Sequence, residues 1–245
     1  MVGYTDFINL GNAVDAEISR FQEKTGHLGF DVFNWRECFD IEPTRIVNRD
    51  MWVFEALTPR LMEYPSLMIS SLGTARDNIQ PYREETPDNI RREATVLRES
   101  LITYRLISEY RRSNNAIKFL EESFERKLTQ NEKKTAKSGA ESLVGALEPM
   151  VIKSFNSALA VVQVTLKQGK DGYLFDYIGS CPIADFWCQG IKDVVYWKRI
   201  PKICDHCGNF FTTYRPEALS CQHCTGAAKQ RRRRAKNKKD SSQEG

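Results

Sequence analysis

The sequence lacks long apolar runs, which argues against a membrane-spanning helix. No stretch approaches the ~18 apolar residues that a membrane-spanning helix needs. The first residues, Met1 to Asp6, lack a basic region followed by an apolar stretch, so they predict no signal peptide. We therefore expect no membrane partner.

Histidine is scarce, and the common catalytic motifs are missing. The chain has three histidines, too few to favour a Ser-His-Asp arrangement. It contains no glycine-rich phosphate loop and no HExxH zinc-protease motif. Its many carboxylates fall on amphipathic segments, where they are typical of solvated faces. The sequence therefore predicts a protein that is not an enzyme.

The chain also lacks an even number of cysteines. The chain has seven, and four of them occur as two C-x2-C pairs. This pattern favours metal-bound thiolates in a reducing compartment over a secreted disulfide framework. We expect a cytoplasmic protein, or a nuclear one if its source has a nucleus.

Charge is distributed unevenly along the chain. The formal net charge is +4, but residues 229–245 alone hold eight basic and two acidic residues. The rest of the chain is therefore slightly acidic, at −2. A basic block at a chain end is typical of an arm that binds polyanions.

The sequence of residues 1–198 predicts a mainly α domain, which we call the helical body. This body could sense a signal, form a homodimer or bind a partner. Apolar residues recur at helical spacing in most of this region. Thr86 and Pro87 suit the cap and the first position of a helix. The predicted helices are Asp6 to Lys24, Pro87 to Arg112, one after Asn115, Ala140 to Lys167 with a break or kink at Pro149, and Pro182 to Tyr196.

The remaining segments of the body give weaker signals. The stretch from Met51 to Leu72 predicts two short helices because prolines interrupt it. The polar stretch from Asn131 to Gly139 predicts a surface loop. Short strands are predicted for Tyr173 to Ile178 and, outside the body, for Phe210 to Tyr214.

Two cysteine pairs near the C-terminus carry the clearest chemical signal. Two residues between paired cysteines let a tight turn direct both sulfurs to one metal ion, and zinc takes four thiolates tetrahedrally. Gly208 follows the first pair and supplies a permissive backbone. The spacing predicts one structural zinc ion, held by Cys204, Cys207, Cys221 and Cys224. His206 and His223 lie within the pairs, and we expect them beside the site or on phosphate rather than as ligands.

The second pair leads directly into strong helix formers and a run of basic residues. Two ligands on a hairpin and two at a helix start form the treble-clef arrangement. A basic helix of this kind can neutralise several phosphates while it lies in a groove. The predicted nucleic-acid contacts are Lys229, Arg231, Arg232, Arg233, Arg234, Lys236, Lys238 and Lys239.

Residues 200–239 resemble the CGNR-type zinc finger. The matching stretches are Cys207-Gly208-Asn209-Phe210-Phe211 and the run from Cys224 to Arg234. In that family, paired cysteines and a phenylalanine-containing turn precede a basic helix. The resemblance implies a bacterial transcription regulator with a separate N-terminal domain.

The sequence thus predicts a helical body over residues 1–198, a four-cysteine zinc module with a basic helix over residues 199–239, and a disordered tail over residues 240–245. The predicted function is a zinc-containing protein that binds DNA or RNA through the phosphate backbone and regulates transcription. The alternative is a non-enzymatic interaction protein, whose zinc module docks on RNA or on an acidic protein.

Overall fold

The computed structural model describes residues 3–29, 85–159, 162–169, 172–179 and 181–226. The chain divides into two compact units, residues 1–192 and residues 193–245. We call them the helical unit and the cysteine module. The division groups residues 193–198 with the cysteines. The predicted helices of Met51 to Leu72, the basic contacts from Lys229 onward and the tail 240–245 lie outside the described residues.

The helical unit is mainly α, as predicted. Helices make up 70% of the residues that the structure describes. In chain order its helices are α1 (Tyr4–Asn9), α2 (Asp15–Thr25), α3 (Pro87–Ser113), α4 (Ala116–Phe124), α5 (Gln130–Lys134), α6 (Ala136–Leu159) and α7 (Pro182–Ile191), with a 3-10 turn at Leu10–Asn12. An antiparallel hairpin of β1 (Val162–Gly169) and β2 (Gly172–Gly179) lies between α6 and α7.

The beginning of α3 follows the predicted cap. The Thr86 side chain accepts a hydrogen bond from the backbone N–H of Asn89, and Pro87 occupies the first turn. Pro87 suits this position because the first helical N–H groups have no partner within the helix. Ile90, Leu97 and Leu101 are fully buried along α3, in agreement with the helical spacing of apolar residues in the sequence.

Two groups of buried side chains form the core. Phe7 of α1 stacks on Phe186 of α7 with ring centroids 4.9 Å apart, and Phe21 of α2 lies against both rings. The second group joins the C-terminal half of α3 with α4 and α6. Its most buried members are Phe119, Leu120, Ala140, Leu143 and Val144.

Three predicted boundaries are wrong. The segment from Asp6 to Lys24 is two helices, with Val14 exposed at the start of α2. The predicted loop Asn131 to Gly139 is helical because Thr129 and Glu132 form a reciprocal capping box that starts α5. The predicted helix to Lys167 ends at Leu159, and residues 162–167 belong to β1.

Pro149 is tolerated inside α6, which continues through it. In a regular helix, a proline ring clashes with the carbonyl of the residue four positions earlier, which at this point of α6 is Gly145. Buried Val144, Met150 and Val151 hold the helix on either side of this point. Tertiary packing therefore outweighs the local cost of the proline.

Glu93 is a buried carboxyl group at the centre of the helical unit. It is 2% exposed, and its Oε1 accepts a hydrogen bond of 2.6 Å from the Trp187 indole. Burial raises the pKa of Glu93 well above its ordinary value, although the indole hydrogen bond opposes this shift. Unlike the solvated carboxylates expected from the sequence, this side chain belongs to the core.

Candidate metal centre

The first cysteine pair lies in the turn of a short hairpin. Strands β3 (Ile200–Ile203) and β4 (Phe210–Thr213) pair antiparallel, with Ile203 opposite Phe210. The backbone N–H of Cys204 donates to the Asn209 carbonyl at 2.9 Å, and Gly208 N–H donates to the Cys204 carbonyl at 2.9 Å. Gly208 has φ +69°, a left-handed conformation that glycine adopts without strain. The turn therefore places Cys204 and Cys207 side by side.

The chain then returns to bring the second pair to this turn. The N–H of Asp205 donates to the Leu219 carbonyl at 3.0 Å, and Lys202 Nζ bonds the Ala218 carbonyl at 2.9 Å. The N–H of Cys221 donates to Cys204 Sγ at 3.3 Å. Residues 222–226 are helical, and the N–H of Thr225 donates to the Cys221 carbonyl. Two cysteines thus lie on a hairpin turn and two at a helix start.

The four sulfur atoms lie within 4.8 Å of one another. The distance from Cys207 Sγ to Cys221 Sγ is 3.8 Å. Four sulfurs bound tetrahedrally at about 2.3 Å from one zinc ion would lie about 3.8 Å apart. A disulfide needs about 2.05 Å. The spacing therefore suits ligands that share one metal ion, and the four predicted cysteines could hold one.

The pKa values of Cys204 and Cys224 shift in opposite directions. Burial acts to raise the pKa of Cys204, but backbone N–H groups of Cys221, His206 and Cys207 outweigh it and lower the pKa to about 6. A hydrogen bond with Cys207 is the main cause that raises the pKa of Cys224 to about 12, and burial and the other sulfurs add to it. Four adjacent thiolates repel one another, and a divalent cation offsets this repulsion.

The histidines of the two pairs are outside the sulfur cluster. In the described part of the chain, the cluster consists of the four cysteines alone. His206 and His223 are exposed. Two further cysteines, Cys181 and Cys188, are buried in the helical unit. Cys38 lies outside the described residues.

Sequence reasoning missed the exposed aromatic residues of the cysteine module. Tyr196, Trp197 and Tyr214 are all exposed, although aromatic rings of this size are usually buried at least in part. Basic residues follow them directly in the sequence, as in Trp197-Lys198-Arg199 and Tyr214-Arg215. This alternation of aromatic and basic residues is the signal that could have identified them.

Comparison with known proteins leaves the site to be interpreted from its own geometry. No protein-family model, no curated protein and no solved structure matches the chain. Among the helices that the structure describes, none combines the length and apolar character needed to cross a membrane.

Proposed function

We propose that this chain is a non-enzymatic, zinc-containing protein that binds nucleic acid, and that it regulates transcription. The observation that carries the proposal is the convergence of four cysteine sulfurs within 4.8 Å, directly before the basic run Lys229 to Lys239. The resemblance of residues 200–239 to CGNR-type zinc fingers points in the same direction.

Zinc is the metal that best fits the donor set. Thiolates are soft ligands, and a tetrahedral set of four sulfurs is typical of zinc or of iron–sulfur sites. A closed set of four protein ligands leaves no open position for substrate, as in structural zinc sites. Elemental analysis of protein purified in reducing buffer should give about one zinc per chain and little iron. A coloured, iron-containing product would contradict this part of the proposal.

The basic run supplies the proposed contact with phosphate. A helix begins at residue 222 with its positive end toward the thiolates, and the basic residues come after it in the sequence. About three to five phosphates could be contacted at once. Each phosphate neutralised on duplex DNA gives a log–log salt slope of about −0.9. The expected overall slope is therefore about −3 to −4.5.

Substitution of the four consecutive arginines tests this proposal. The variant with Arg231, Arg232, Arg233 and Arg234 changed to Ala should bind duplex DNA and structured RNA at least about 100-fold more weakly at moderate salt, because phosphate contacts dominate the affinity. The matched control changes the same four residues to Lys, which keeps the charge and should keep most of the binding. Zinc content and the helical circular dichroism signal should not change in either variant.

Two results would contradict the proposal. Parental affinity in the alanine variant would mean that this run is not the binding element. A parent protein that binds neither DNA nor RNA at low salt would favour the alternative, in which the zinc module docks on an acidic protein.

A further inference from the structure

The exposed aromatic side chains of the cysteine module flank one end of the β3–β4 hairpin, before β3 and after β4. Tyr196 is 71% exposed, Trp197 is 50% exposed and Tyr214 is 60% exposed. The other large apolar side chains exposed in the described chain are all aliphatic. Aromatic rings offer large apolar faces, and exposed groups of them are typical of binding surfaces.

The hairpin register places Tyr214 at the same end of the hairpin as the segment that carries Tyr196 and Trp197. Ile200 pairs with Thr213, so Arg199 and Tyr214 are the next opposed positions beyond the ladder. The Arg199 guanidinium lies 5.1 Å from the centroid of the Tyr214 ring. Tyr196 and Trp197 come just before Arg199, with ring centroids 5.0 Å apart in an edge-to-face arrangement.

Asp193 fixes this end of the hairpin. Its carboxylate accepts hydrogen bonds from Arg199 Nη1 at 3.1 Å and from the Thr212 hydroxyl at 3.3 Å. The Asp193 carbonyl also accepts the backbone N–H of Arg199 at 3.0 Å. These bonds join the π-helical turn Lys192–Tyr196 to β4 and hold the chain that carries the rings. The surface is therefore positioned before any ligand arrives.

Cations come directly after the rings in the sequence. Lys198 and Arg215 are exposed, and the Arg199 side chain is 40% exposed. The hydrogen bond with Tyr214 is the main cause that raises the pKa of Arg199, so the guanidinium stays charged. Apolar faces combined with positive charge complement a ligand that has flat rings and anionic groups.

We propose that Tyr196, Trp197 and Tyr214 form a stacking surface for the unpaired bases of a single-stranded nucleic acid, whose phosphates contact Lys198, Arg199 and Arg215. This inference rests on the proposed function and adds the form of nucleic acid that is preferred. In a duplex, base faces are covered by their neighbours, whereas unpaired bases can stack on aromatic side chains. Stacking tolerates any sequence because every base has a flat face.

The test compares (dT)12 with an abasic strand of equal charge and with a duplex, whose base faces are covered. The full-length protein is titrated with labelled (dT)12, with an abasic strand of the same length and with a duplex, at several salt concentrations. We expect Trp197→Ala and Tyr214→Ala each to weaken binding to (dT)12 by about 5- to 150-fold, the range for loss of one stacked base. Affinity for the duplex and the abasic strand should change by less than about twofold.

Matched variants separate stacking from other effects. Trp197→Phe and Tyr214→Phe retain a ring and should recover most of the (dT)12 affinity. Leu219→Ala removes an exposed aliphatic side chain of the same module, which is 62% exposed, and should have no effect. Tryptophan emission should be quenched when (dT)12 binds, and Trp197→Phe should remove that quenching. Zinc content verifies that each variant is folded.

The outcomes distinguish this inference from the proposed function. Equal binding of (dT)12 and the abasic strand, with loss of both in the Arg231–Arg234 alanine variant, would overturn the stacking surface and leave the proposed function standing. If the protein binds no nucleic acid at low salt, both fail. Binding of anionic vesicles, or self-association, that is lost in Trp197→Ala while (dT)12 binding persists would also overturn the stacking surface.

Discussion

The helical unit and the cysteine module differ in how much apolar surface they bury. Nearly all buried hydrophobic side chains of the described chain lie in the helical unit. In residues 193–226, burial is limited to a few positions, among them Val194, Cys204 and Phe210. A segment this small cannot build a sufficient core, and such segments usually need a metal or another cross-link. The two regions should therefore respond to different perturbations.

Loss of a metal ligand should have the largest effect, and only on the cysteine module. Cys204→Ser should abolish stoichiometric zinc and unfold residues 193–226, because zinc supplies about 10–16 kcal/mol of apparent folding energy in small finger peptides. Elemental analysis and limited proteolysis would measure both changes. The helical circular dichroism signal and its melting should remain close to those of the parent.

Cys188→Ser provides the matched control in the other region. Cys188 is buried in α7, so this change should lower the melting temperature of the helical unit and leave one zinc per chain. If Cys204→Ser retained its zinc, or if it melted the helical unit as well, the comparison between the regions would fail.

Loss of a core side chain should have the next largest effect, and only on the helical unit. Leu101 is fully buried, and it lies where α3 meets Gly190 of α7. Leu101→Ala should lower the free energy of unfolding by about 2–5 kcal/mol, measured by urea titration at constant zinc. Ile152→Ala, at a side chain 52% exposed, should change it by less than about 0.5 kcal/mol. A similar loss in both variants would disprove this assignment of the core.

A graded effect is expected from pH in the helical unit. The folded pKa of Glu93 is raised by burial, so its protonated form stabilises the fold fully below the unfolded pKa of about 4.3. That contribution is lost as pH rises toward the folded pKa, at about 1.4 kcal/mol per pH unit. Glu93→Gln keeps an oxygen for the indole and removes the titration. Its stability relative to the parent should therefore increase from pH 5 to pH 8.

Glu132 offers a control of opposite sign. Its hydrogen bond with Arg126 is the main cause that lowers its pKa to about 2. A depressed pKa contributes stability above the unfolded value, and that stability is lost as pH falls toward 2. Glu132→Gln should therefore differ from the parent at neutral pH and converge with it in acid. Thermal melts across this range would show whether Glu93 and Glu132 behave oppositely.

The features that could be predicted from the sequence are the ones specified by neighbouring residues. The C-x2-C pairs and Gly208 indicated the cysteine cluster because a tight turn needs only local residues. Thr86 and Pro87 placed the start of α3 for the same reason. The strand at 162–169 was missed because Val162 and Leu166 continue the four-residue apolar spacing of α6, although Val162, Val164 and Leu166 also alternate as in a strand. Pairing with Gly172–Gly179 selects the strand.

The features that could not be predicted depend on distant contacts. Glu93 has the sequence pattern of a solvated carboxylate, and only packing against Trp187, 94 positions away, buries it. The aromatic end of the hairpin depends on the hydrogen bonds from Arg199 and Thr212 to the Asp193 carboxylate. Such contacts cannot be inferred from the spacing of residues along the chain.

The short distances between the four sulfurs also have a consequence for oxidation. Cys207 is exposed, and its sulfur lies 3.8 Å from that of Cys221. Without metal, a peroxide that removes two electrons from this pair would leave a disulfide and release water, after the sulfurs close to about 2.05 Å. Bound metal protects the thiolates by occupying them. Once the metal has dissociated, oxidising buffer is therefore expected to block its return until a thiol reductant restores both cysteines.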